Sequence, residues 1–221
     1  MPDGPFDLVV FDLDGTLVET RQGICDSVTH ALITLGREPI RLETVVGYVG
    51  DGARKLMERC LGTHSEGADV ERALRLFIEH YIDHCAVGSE LYPGVSQTLE
   101  ALEDLPLAVL TNKPRTPSER ILDDLGVRPR FRELIGGDAE TPLKPHPAGL
   151  LGLIERWGTT PARTLLVGDT SVDVRTARRC GAAVAGAMWG FRPRDFEAEP
   201  PDWRLESFAG LLSLTRGEMS P

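Results

Sequence analysis

The sequence predicts an α/β protein in which a doubly wound, Rossmann-like parallel sheet carries an inserted all-helical subdomain. Two observations lead to this prediction. In the C-terminal half of the chain, short apolar runs of strand length alternate with segments of helical periodicity. In residues 18–88, apolar residues instead recur at helical spacing, and no strand pattern interrupts them. We therefore expect a core formed by residues 1–17 and 89–221, and a helical cap formed by residues 18–88.

The composition narrows the function classes before any motif is considered. The chain has 221 residues and a formal net charge of −10, which argues against nucleic acid, because phosphate backbones are held by basic surfaces. No apolar stretch approaches the roughly 20 residues that cross a bilayer. The N-terminus shows no signal-peptide pattern, and the four scattered cysteines lack metal-ligand spacing. We expect a cytoplasmic monomer or homodimer with no nucleic-acid or membrane partner.

The first predicted strand ends at a pair of acids. The apolar run Leu8–Phe11 is followed by Asp12 and Asp14, and Gly15 then turns the chain. A short apolar run bounded by turn residues is typical of a strand buried on both faces of a parallel sheet. Ligands of such sheets bind just beyond the carboxyl ends of the strands. Alone, this segment is equally typical of a solvated turn, so its function depends on the rest of the chain.

The helical cap is predicted from consecutive helical segments. Apolar residues at helical spacing mark residues 24–35, and Gly36 follows them as a helix-ending glycine does. A glycine-rich segment, residues 47–52, leads into a short helix around residues 56–61. A strongly amphipathic helix then covers residues 70–85. The cap histidines follow no ligand pattern and are expected at surface or hydrogen-bonded positions: His30, His64, His80 and His84.

The C-terminal half supplies the rest of the sheet. The predicted strands cover residues 107–110, 134–135, 164–167 and 182–188. The predicted helices cover residues 95–102, 121–125, 148–157, 174–180 and 205–214. The acid-rich stretch 195–202 is predicted to be a solvated loop. Helices and strands that alternate in this way form a parallel sheet with right-handed crossovers.

Polar residues follow three predicted strands at the point where each strand ends. They are Asp12 and Asp14, Thr111 and Asn112, and Asp169. In a parallel sheet these ends share one edge, so residues far apart in sequence converge. Together with Asp173 the acids crowd several carboxylates, and a pair about 4 Å apart repels by roughly 4 kcal/mol at an effective dielectric near 20. Such a cluster predicts raised pKa values or a bound cation, and a few oxygen ligands suit Mg²⁺.

Lysine is rare in this chain, and its positions are informative. Arginine supplies the basic residues except for Lys55, Lys113 and Lys144, and a lysine retained in such a chain favours a site that needs a compact point charge. Lys144 lies between prolines that restrict its backbone. With Thr111 and Asn112 as hydrogen-bond donors, it complements an anion such as phosphate. Lys113 either lines the entrance of this site or is a surface charge.

Four segments of the sequence resemble the ordered motifs of the haloacid dehalogenase superfamily. They are Asp12–Thr16 (DLDGT), Leu110–Asn112 (LTN), Lys144 before Pro145, and Gly168–Asp173 (GDTSVD). The helical insert follows the first motif, as a type-1 cap does in that superfamily. Further segments resemble phosphoglycolate phosphatases: Val49–Ala53, Leu56–Arg59, Thr111–Pro114, Ile135–Asp138 and Lys144–Pro147. That family usually has Gly-Asn-Gly in its cap, where this chain has Asp51 in place of the asparagine.

The resemblance implies a role for each motif residue. Asp12 is implied to be the nucleophile that forms an aspartyl-phosphate, and Asp14 the general acid and then base. Mg²⁺ is implied to be held by Asp12, the backbone carbonyl of Asp14, and Asp169. Phosphate is implied to be bound by Thr111, Asn112 and Lys144. Asp173 is interpreted as a partner of Lys144 or of a metal-bound water, not as a direct ligand.

The helical cap is implied to select the substrate. The candidate residues are Gly50, Asp51, Gly52, Arg54 and Lys55. Arg54 and Lys55 could hold a substrate carboxylate, although a solvated helix N-terminus explains them equally well. The segment Trp189–Arg192 follows the last strand of small residues, and it either shapes the rim of the site or packs in an ordinary way.

The predicted function is therefore a Mg²⁺-dependent phosphatase that hydrolyses a small phosphomonoester, with 2-phosphoglycolate as the first candidate. Asp14 favours a phosphatase over a dehalogenase, because dehalogenases of the superfamily lack this second acid. The alternatives are a phosphatase for a sugar phosphate or pyrophosphate, and a phosphomutase that retains a bisphosphate intermediate. A non-catalytic binding protein on the same fold is a third alternative.

Overall fold

The computed structural model describes residues 4–62 and 67–219. The strands, in chain order, are β1 (Leu8–Phe11), β2 (Val18–Glu19), β3 (Glu90–Leu91), β4 (Leu107–Leu110), β5 (Glu133–Ile135), β6 (Thr164–Gly168), β7 (Ala183–Ala187) and β8 (Trp203–Leu205). The α-helices are α1 (Arg21–Thr34), α2 (Leu42–Tyr48), α3 (Ala53–Leu61), α4 (Gly67–His84), α5 (Val95–Ala101), α6 (Arg115–Asp124), α7 (Ala148–Arg156), α8 (Ser171–Cys180), α9 (Asp195–Ala198) and α10 (Gly210–Thr215). Among the described residues, no helix combines the length and the apolar character needed to cross a membrane.

A six-stranded sheet forms the core, with the strand order β5-β4-β1-β6-β7-β8. Neighbouring strands run parallel throughout. Strand β1 is fully buried, and its alternate residues reach opposite faces of the sheet. Val9 and Phe11 pack with residues of α5, α6 and α10, whereas Leu8 and Val10 pack with residues of α7 and α8. Helices therefore cover both faces, which confirms the predicted doubly wound α/β fold.

The sequence prediction was wrong near the C-terminus. Residues 205–214 were expected to form one helix, but Leu205 ends strand β8 and α10 begins at Gly210. Residues 203–205 pair with β7, and a strand of three residues is too short to show an alternating pattern.

The expected solvated loop at residues 195–202 contains the short helix α9. Phe196 of this helix is buried, and a Cβ on Gly186 of β7 would lie only 2.7 Å from its ring. The absence of a side chain at Gly186 makes room for the Phe196 ring. The sequence does not show this contact, because a glycine in a strand does not indicate which residue will pack against it.

The helical cap comprises α1–α4 and is joined to the core by two short strands. Strands β2 and β3 pair antiparallel, Val18 with Leu91 and Glu19 with Glu90. Val18 and Glu19 lie in the segment expected to be free of strands, because two residues carry no period that a sequence pattern can show. The chain enters and leaves the helical cap side by side at this ribbon.

Three of the cap histidines stack on one another. The ring of His80 lies 4.3 Å from that of His30 and 4.1 Å from that of His84, measured between centroids. Ser27 Oγ lies 2.9 Å from His80 Nδ1. His64, which was also predicted to occupy a surface or hydrogen-bonded position, lies outside the described residues.

Candidate active site

Asp12 and Asp14 lie where the central strand β1 ends. The backbone N–H of Asp12 donates to Val167 O of β6 at 2.9 Å, which continues the sheet by one residue. The chain then turns at Gly15, whose φ of +79° is easily adopted only by glycine. A Cβ at Gly15 would also lie 2.2 Å from Asp169 Oδ2. The turn therefore requires glycine both for its backbone angle and for the close approach of a carboxylate.

Asp169 follows the adjacent strand β6 and is almost fully buried. Its Oδ2 accepts a hydrogen bond from the backbone N–H of Phe191 at 2.7 Å. A Cβ on Gly190 would lie 2.2 Å from Asp169 Cβ, so this position has no room for a side chain. Burial, with the charges of Asp12 and Asp173 added, raises the pKa of Asp169 well above its ordinary value. The segment Trp189–Arg192 therefore shapes the site, the first of its two predicted alternatives.

Lys144 joins two of the carboxylates. Its Nζ lies 3.0 Å from Asp12 Oδ1 and 2.7 Å from Asp173 Oδ1. Asp173 Oδ2 accepts hydrogen bonds from the hydroxyl and backbone N–H of Thr170, at 3.0 and 3.3 Å, at the start of α8. Burial lowers the pKa of Lys144, but the charges of Asp12 and Asp173 outweigh burial and raise it above its ordinary value. The ammonium is therefore held charged beside Asp12.

The carboxylate cluster fits a divalent cation. Carboxylate oxygens of Asp12, Asp169 and Asp173 all lie within 4.8 Å of one another. Burial, against the opposing charge of Lys144, raises the pKa of Asp12 to about 6. Buried, crowded carboxylates with raised pKa values gain most from a cation that binds their ionised forms. Oxygen donors of this kind suit hard cations such as Mg²⁺.

Asn112 follows strand β4 and fixes the backbone of Lys144. Its Oδ1 accepts from the backbone N–H of Lys144, and its Nδ2 donates to the carbonyl oxygen of Lys144, both at 2.8 Å. Nδ2 also donates to the carbonyl oxygen of Gly50 in the helical cap at 2.8 Å. Both amide hydrogens of Asn112 are thus in use. Thr111 is buried beside Asn112 and lines the cavity described next, and the phosphate-binding role of the two residues stays a prediction.

A cavity of about 50 Å³ lies between the strand ends and the helical cap. The core contributes its polar wall, including Asp12, Asp14, Thr111, Asn112, Lys113 and Asp169. The helical cap contributes a mainly apolar wall: Ile24, Val49, Gly50, Gly52, Ala53, Leu56, Phe77 and Tyr81. A small cavity with convergent polar groups on one side is the usual form of a small-molecule site.

Comparisons with known proteins agree with this geometry. A family model described as haloacid dehalogenase-like hydrolase matches residues 9–187. The chain belongs to this family. Its strand-end carboxylates, Lys144 and helical cap are therefore parts of a hydrolase.

Several similar hydrolases carry the name phosphoglycolate phosphatase. One from Pseudomonas putida is 37% identical over 213 residues, which cover 93% of this chain and 78% of that protein. One from Aquifex aeolicus is 34% identical over 94% of this chain and 95% of that protein. A Haemophilus somnus crystal structure, described as a predicted phosphoglycolate phosphatase, has a TM-score of 0.90 and 32% identity, covering 96% of this chain and 99% of that chain. These comparisons confirm the predicted superfamily and the predicted resemblance to phosphoglycolate phosphatases. They also confirm the predicted enzyme class, a phosphoric monoester hydrolase.

The cap residues expected to select the substrate of this hydrolase divide into two groups. Gly50 and Gly52 line the cavity. Asp51, Arg54 and Lys55 do not, and each pairs with another charged residue of the helical cap. The pairs are Asp51 with Arg59 at 2.6 Å, Arg54 with Glu71 at 2.5 Å, and Lys55 with Glu58 at 2.6 Å. The side chains of Arg54 and Lys55 are 49% and 58% exposed. Of the two alternatives left open by the sequence, a substrate-binding role and a solvated helix N-terminus, the structure therefore favours the solvated one.

Lys113 lines the cavity, whereas the sequence left its place open. Its Nζ lies 2.7 Å from Asp14 Oδ1 and donates to the hydroxyl of Tyr81 from helix α4. Thr20 Oγ1 donates to the same Asp14 oxygen at 2.7 Å. Tyr81 was not among the predicted site residues, because its place in an amphipathic helix is equally that of a core residue. The signal for Lys113 was the rarity of lysine in the chain.

Proposed function

We propose that this hydrolase is a Mg²⁺-dependent phosphatase that cleaves 2-phosphoglycolate through an aspartyl-phosphate at Asp12. The observation that supports it best is the meeting of Asp12, Asp14 and Lys144 at one edge of the sheet, beside a small cavity. The names of the similar proteins from Pseudomonas putida and Aquifex aeolicus point to the same substrate.

Asp12 is proposed as the nucleophile. Its Oδ1 accepts from the backbone N–H of Leu13 at 2.7 Å and lies beside Lys144. Its Oδ2 accepts no hydrogen bond from the described residues and is the oxygen left to attack phosphorus. The P–O bond to Asp12 forms as the bond to the leaving alcohol breaks, which splits the hydrolysis into two easier steps.

Asp14 is proposed to carry the protons. Lys113 and Thr20 hold its Oδ1, and its Oδ2 has no hydrogen-bond partner among the described residues. In the first step Asp14 gives a proton to the leaving oxygen, and in the second it takes one from the water that attacks the aspartyl-phosphate. Such general acid–base catalysis typically contributes about 10²–10⁴-fold to the rate.

The remaining charge is provided by Lys144 and by the metal. Lys144 lies 3.0 Å from Asp12 Oδ1 and offsets negative charge where the phosphoryl group arrives. Asp12, the backbone carbonyl of Asp14, and Asp169 would hold Mg²⁺, which when bound supplies positive charge that lets an anionic carboxylate approach an anionic phosphate. Asp173 Oδ1, which lies 2.7 Å from Lys144 Nζ, helps to keep the ammonium in place.

The cavity size favours a small leaving group. A volume of about 50 Å³ holds about four water molecules at roughly 10–15 Å³ each. Glycolate is of this size, whereas the sugar of a sugar phosphate is much larger. A phosphomutase would in addition need room for a bisphosphate to turn around. The volume therefore favours 2-phosphoglycolate over a sugar phosphate or a bisphosphate, and it does not separate 2-phosphoglycolate from pyrophosphate, which is also small.

The four cysteines support a cytoplasmic location, since all are free thiols and such thiols are typical of a reducing compartment. The expected assembly is a monomer or a homodimer, which light scattering during size-exclusion chromatography would distinguish.

The proposal is tested by phosphate release from a panel of esters, with Mg²⁺ and with EDTA. The panel contains 2-phosphoglycolate, ethyl phosphate, glucose 6-phosphate, glucose 1-phosphate and pyrophosphate. We expect 2-phosphoglycolate to have the highest kcat/KM and EDTA to abolish release. A higher kcat/KM for another ester would refute the substrate, and release unaffected by EDTA would refute the metal requirement. Conversion of glucose 1-phosphate to glucose 6-phosphate without free phosphate would favour the phosphomutase.

A further inference from the structure

We propose that Lys113 and Tyr81 together bind the carboxylate of the leaving group, and that this pair, instead of Arg54 or Lys55, selects carboxylated substrates. The inference rests on the proposed phosphatase function and names the residues that recognise the non-reacting end of its substrate.

The charge of the cavity wall points to Lys113. Among the described residues that line the cavity, Lys113 is the only cationic side chain, whereas Asp12, Asp14 and Asp169 are acidic. A carboxylate entering this space meets one cation, and that cation is buried. In surroundings of low polarity a charged hydrogen bond discriminates more strongly than it does in water.

Two hydrogen-bond donors at this point have no acceptor in the part of the chain that the structure describes. The ammonium of Lys113 has three N–H donors, of which Asp14 Oδ1 and the hydroxyl oxygen of Tyr81 take two. The hydroxyl of Tyr81 accepts from Lys113, and its own hydrogen has no acceptor among the described residues. Burial, together with the nearby Asp14 and Cys85, raises the pKa of Tyr81 well above its ordinary value, so the phenol keeps its proton. One N–H and one O–H are therefore available side by side.

The position of the pair matches the chemistry of the reaction. Lys113 Nζ lies 2.7 Å from Asp14 Oδ1, and Asp14 is the proposed proton donor to the leaving oxygen. In 2-phosphoglycolate a single methylene separates that oxygen from the carboxylate carbon. A carboxylate that reaches the two donors therefore leaves the ester oxygen close to Asp14. The side chains of Ile24, Leu56 and Phe77 line the cap side of the cavity and offer no hydrogen bond to compete.

The pair also joins the two parts of the molecule. Tyr81 belongs to helix α4 of the helical cap, and Lys113 follows strand β4 of the core. A carboxylate bound by both donors is held between the two parts and favours the closed arrangement that contains both. An ester without a carboxylate gains no such contact.

The test compares two esters that differ at one group. Ethyl phosphate has a methyl group where 2-phosphoglycolate has its carboxylate. For the wild type and each variant, kcat/KM is measured for both esters at saturating Mg²⁺, and their ratio is the preference for the carboxylate. We expect Lys113→Met to lower this preference by about 10–100-fold and Tyr81→Phe by about 3–10-fold. Lys55→Met, the same substitution on the cap surface, is expected to keep the ratio within about twofold.

The ratio of kcat/KM for the two esters separates recognition of the carboxylate from the positioning of Asp14. Lys113 also holds Asp14, and losing that contact slows both esters alike without changing the ratio. Equal loss for both esters in Lys113→Met, or a loss of preference in Lys55→Met alone, would overturn the inference. Should Lys113→Met fail to fold in a thermal melt, Tyr81→Phe decides by the same ratio, because it removes only one oxygen.

Failure of the proposed function gives a different result. A wild-type enzyme that releases no phosphate from either ester refutes the phosphatase itself, and one that shows no preference refutes 2-phosphoglycolate as its substrate. A clear wild-type preference that survives in both Lys113→Met and Tyr81→Phe overturns only the inference about these two residues.

Discussion

The two walls of the cavity are built in opposite ways. On the core side, charged side chains are buried and hold one another: Lys144 contacts both Asp12 and Asp173, and Asp173 is held in turn by Thr170. On the cap side, the charged residues pair with each other at the surface and leave apolar side chains toward the cavity. The core wall therefore fixes the chemistry through several mutually dependent contacts, and the cap wall fixes the size and shape of the space.

Polar contacts that join the helical cap to the core include Asn112 to the carbonyl of Gly50, Lys113 to Tyr81, Thr20 to Asp14, and Arg21 to the carbonyl of Gly190. Arg192 adds a longer one to the carbonyl of Gly47 at 3.4 Å. Because the core wall fixes the chemistry, substitutions in it should abolish the reaction. Most substitutions in the helical cap should instead change which ester is hydrolysed, or have little effect. Four measurements distinguish the two walls.

Asp12→Asn should lower kcat by at least about 10⁴-fold, because an amide oxygen cannot serve as the attacking nucleophile. Phosphate release measures the loss of turnover, and a thermal melt shows whether the variant keeps its fold. Asp26→Asn, the same replacement on an exposed cap residue whose one side-chain hydrogen bond within the described residues comes from Gln22, should leave kcat within about twofold. Activity of Asp12→Asn within a hundredfold of the wild type would contradict the nucleophile assignment.

The free energy of unfolding should depend on pH through Asp12 when the metal is removed. The folded-state pKa of Asp12 is raised to about 6 from the ordinary 3.8, so ionisation is harder in the folded protein than in the unfolded chain. Stability from this group is therefore fully present below about pH 4 and is lost as pH rises to about 6. The loss amounts to about 3 kcal/mol.

Urea unfolding in EDTA between pH 4 and pH 7 measures this loss, with Asp12→Asn as the reference that lacks the titrating group. The difference in stability between wild type and variant should change by about 3 kcal/mol across the window. Mg²⁺ binds the ionised form, so its stabilising effect should increase with pH over the same range. A difference independent of pH would contradict the raised pKa of Asp12.

Gly190→Ala should displace Asp169 and weaken the metal site. Its Cβ would lie 2.2 Å from Asp169 Cβ and 2.7 Å from the carbonyl oxygen of Gly15, so the backbone must shift. We expect the Mg²⁺ concentration for half-maximal activity to rise about 10–100-fold. Gly47→Ala is the matched change in the helical cap, where a Cβ meets nothing within 4 Å. Gly47→Ala should be neutral or stabilise the fold by up to about 1 kcal/mol. An equal effect of Gly190→Ala and Gly47→Ala on the Mg²⁺ requirement would contradict the difference between the two walls.

Arg54→Ala should have the smallest effect of the four. Its partner Glu71 and the arginine itself are about half exposed, and exposed ion pairs contribute about 0–1 kcal/mol. We expect KM for 2-phosphoglycolate to change by less than about threefold. A tenfold increase in KM for this ester, with no change for ethyl phosphate, would show that the cap surface reaches the substrate.

The sequence was most informative where a single residue type at a strand end determines the chemistry. Strand β4 lies where the apolar run 107–110 placed it, and Asp12, Asp169 and Lys144 converge as the parallel order requires. These residues could be found because each follows directly from a strand or from a restricted turn in the chain.

The missed features depend on contacts between distant segments. The segment Trp189–Arg192 was a candidate for the rim, but its contact with Asp169 was not predicted, because it is made by the backbone N–H of Phe191, a group that every residue except proline possesses. Tyr81 and Lys113 meet only because helix α4 lies over the strand ends. Strand β8 was missed because its three residues depend on pairing with β7 and not on their own pattern.

The ribbon of β2 and β3 places the two proposed catalytic acids in different parts of the structure. Asp12 continues the central strand, whereas Asp14 forms a bridge with Val18, the first residue of the ribbon. A rotation of the helical cap about the ribbon would therefore have its pivot beside Asp14. Asp12 would keep its place, because its backbone is hydrogen-bonded to strand β6. The proposed proton carrier thus lies at the pivot, where a rotation of the helical cap changes its surroundings, whereas the proposed nucleophile is fixed by the sheet and stays in place for the next substrate.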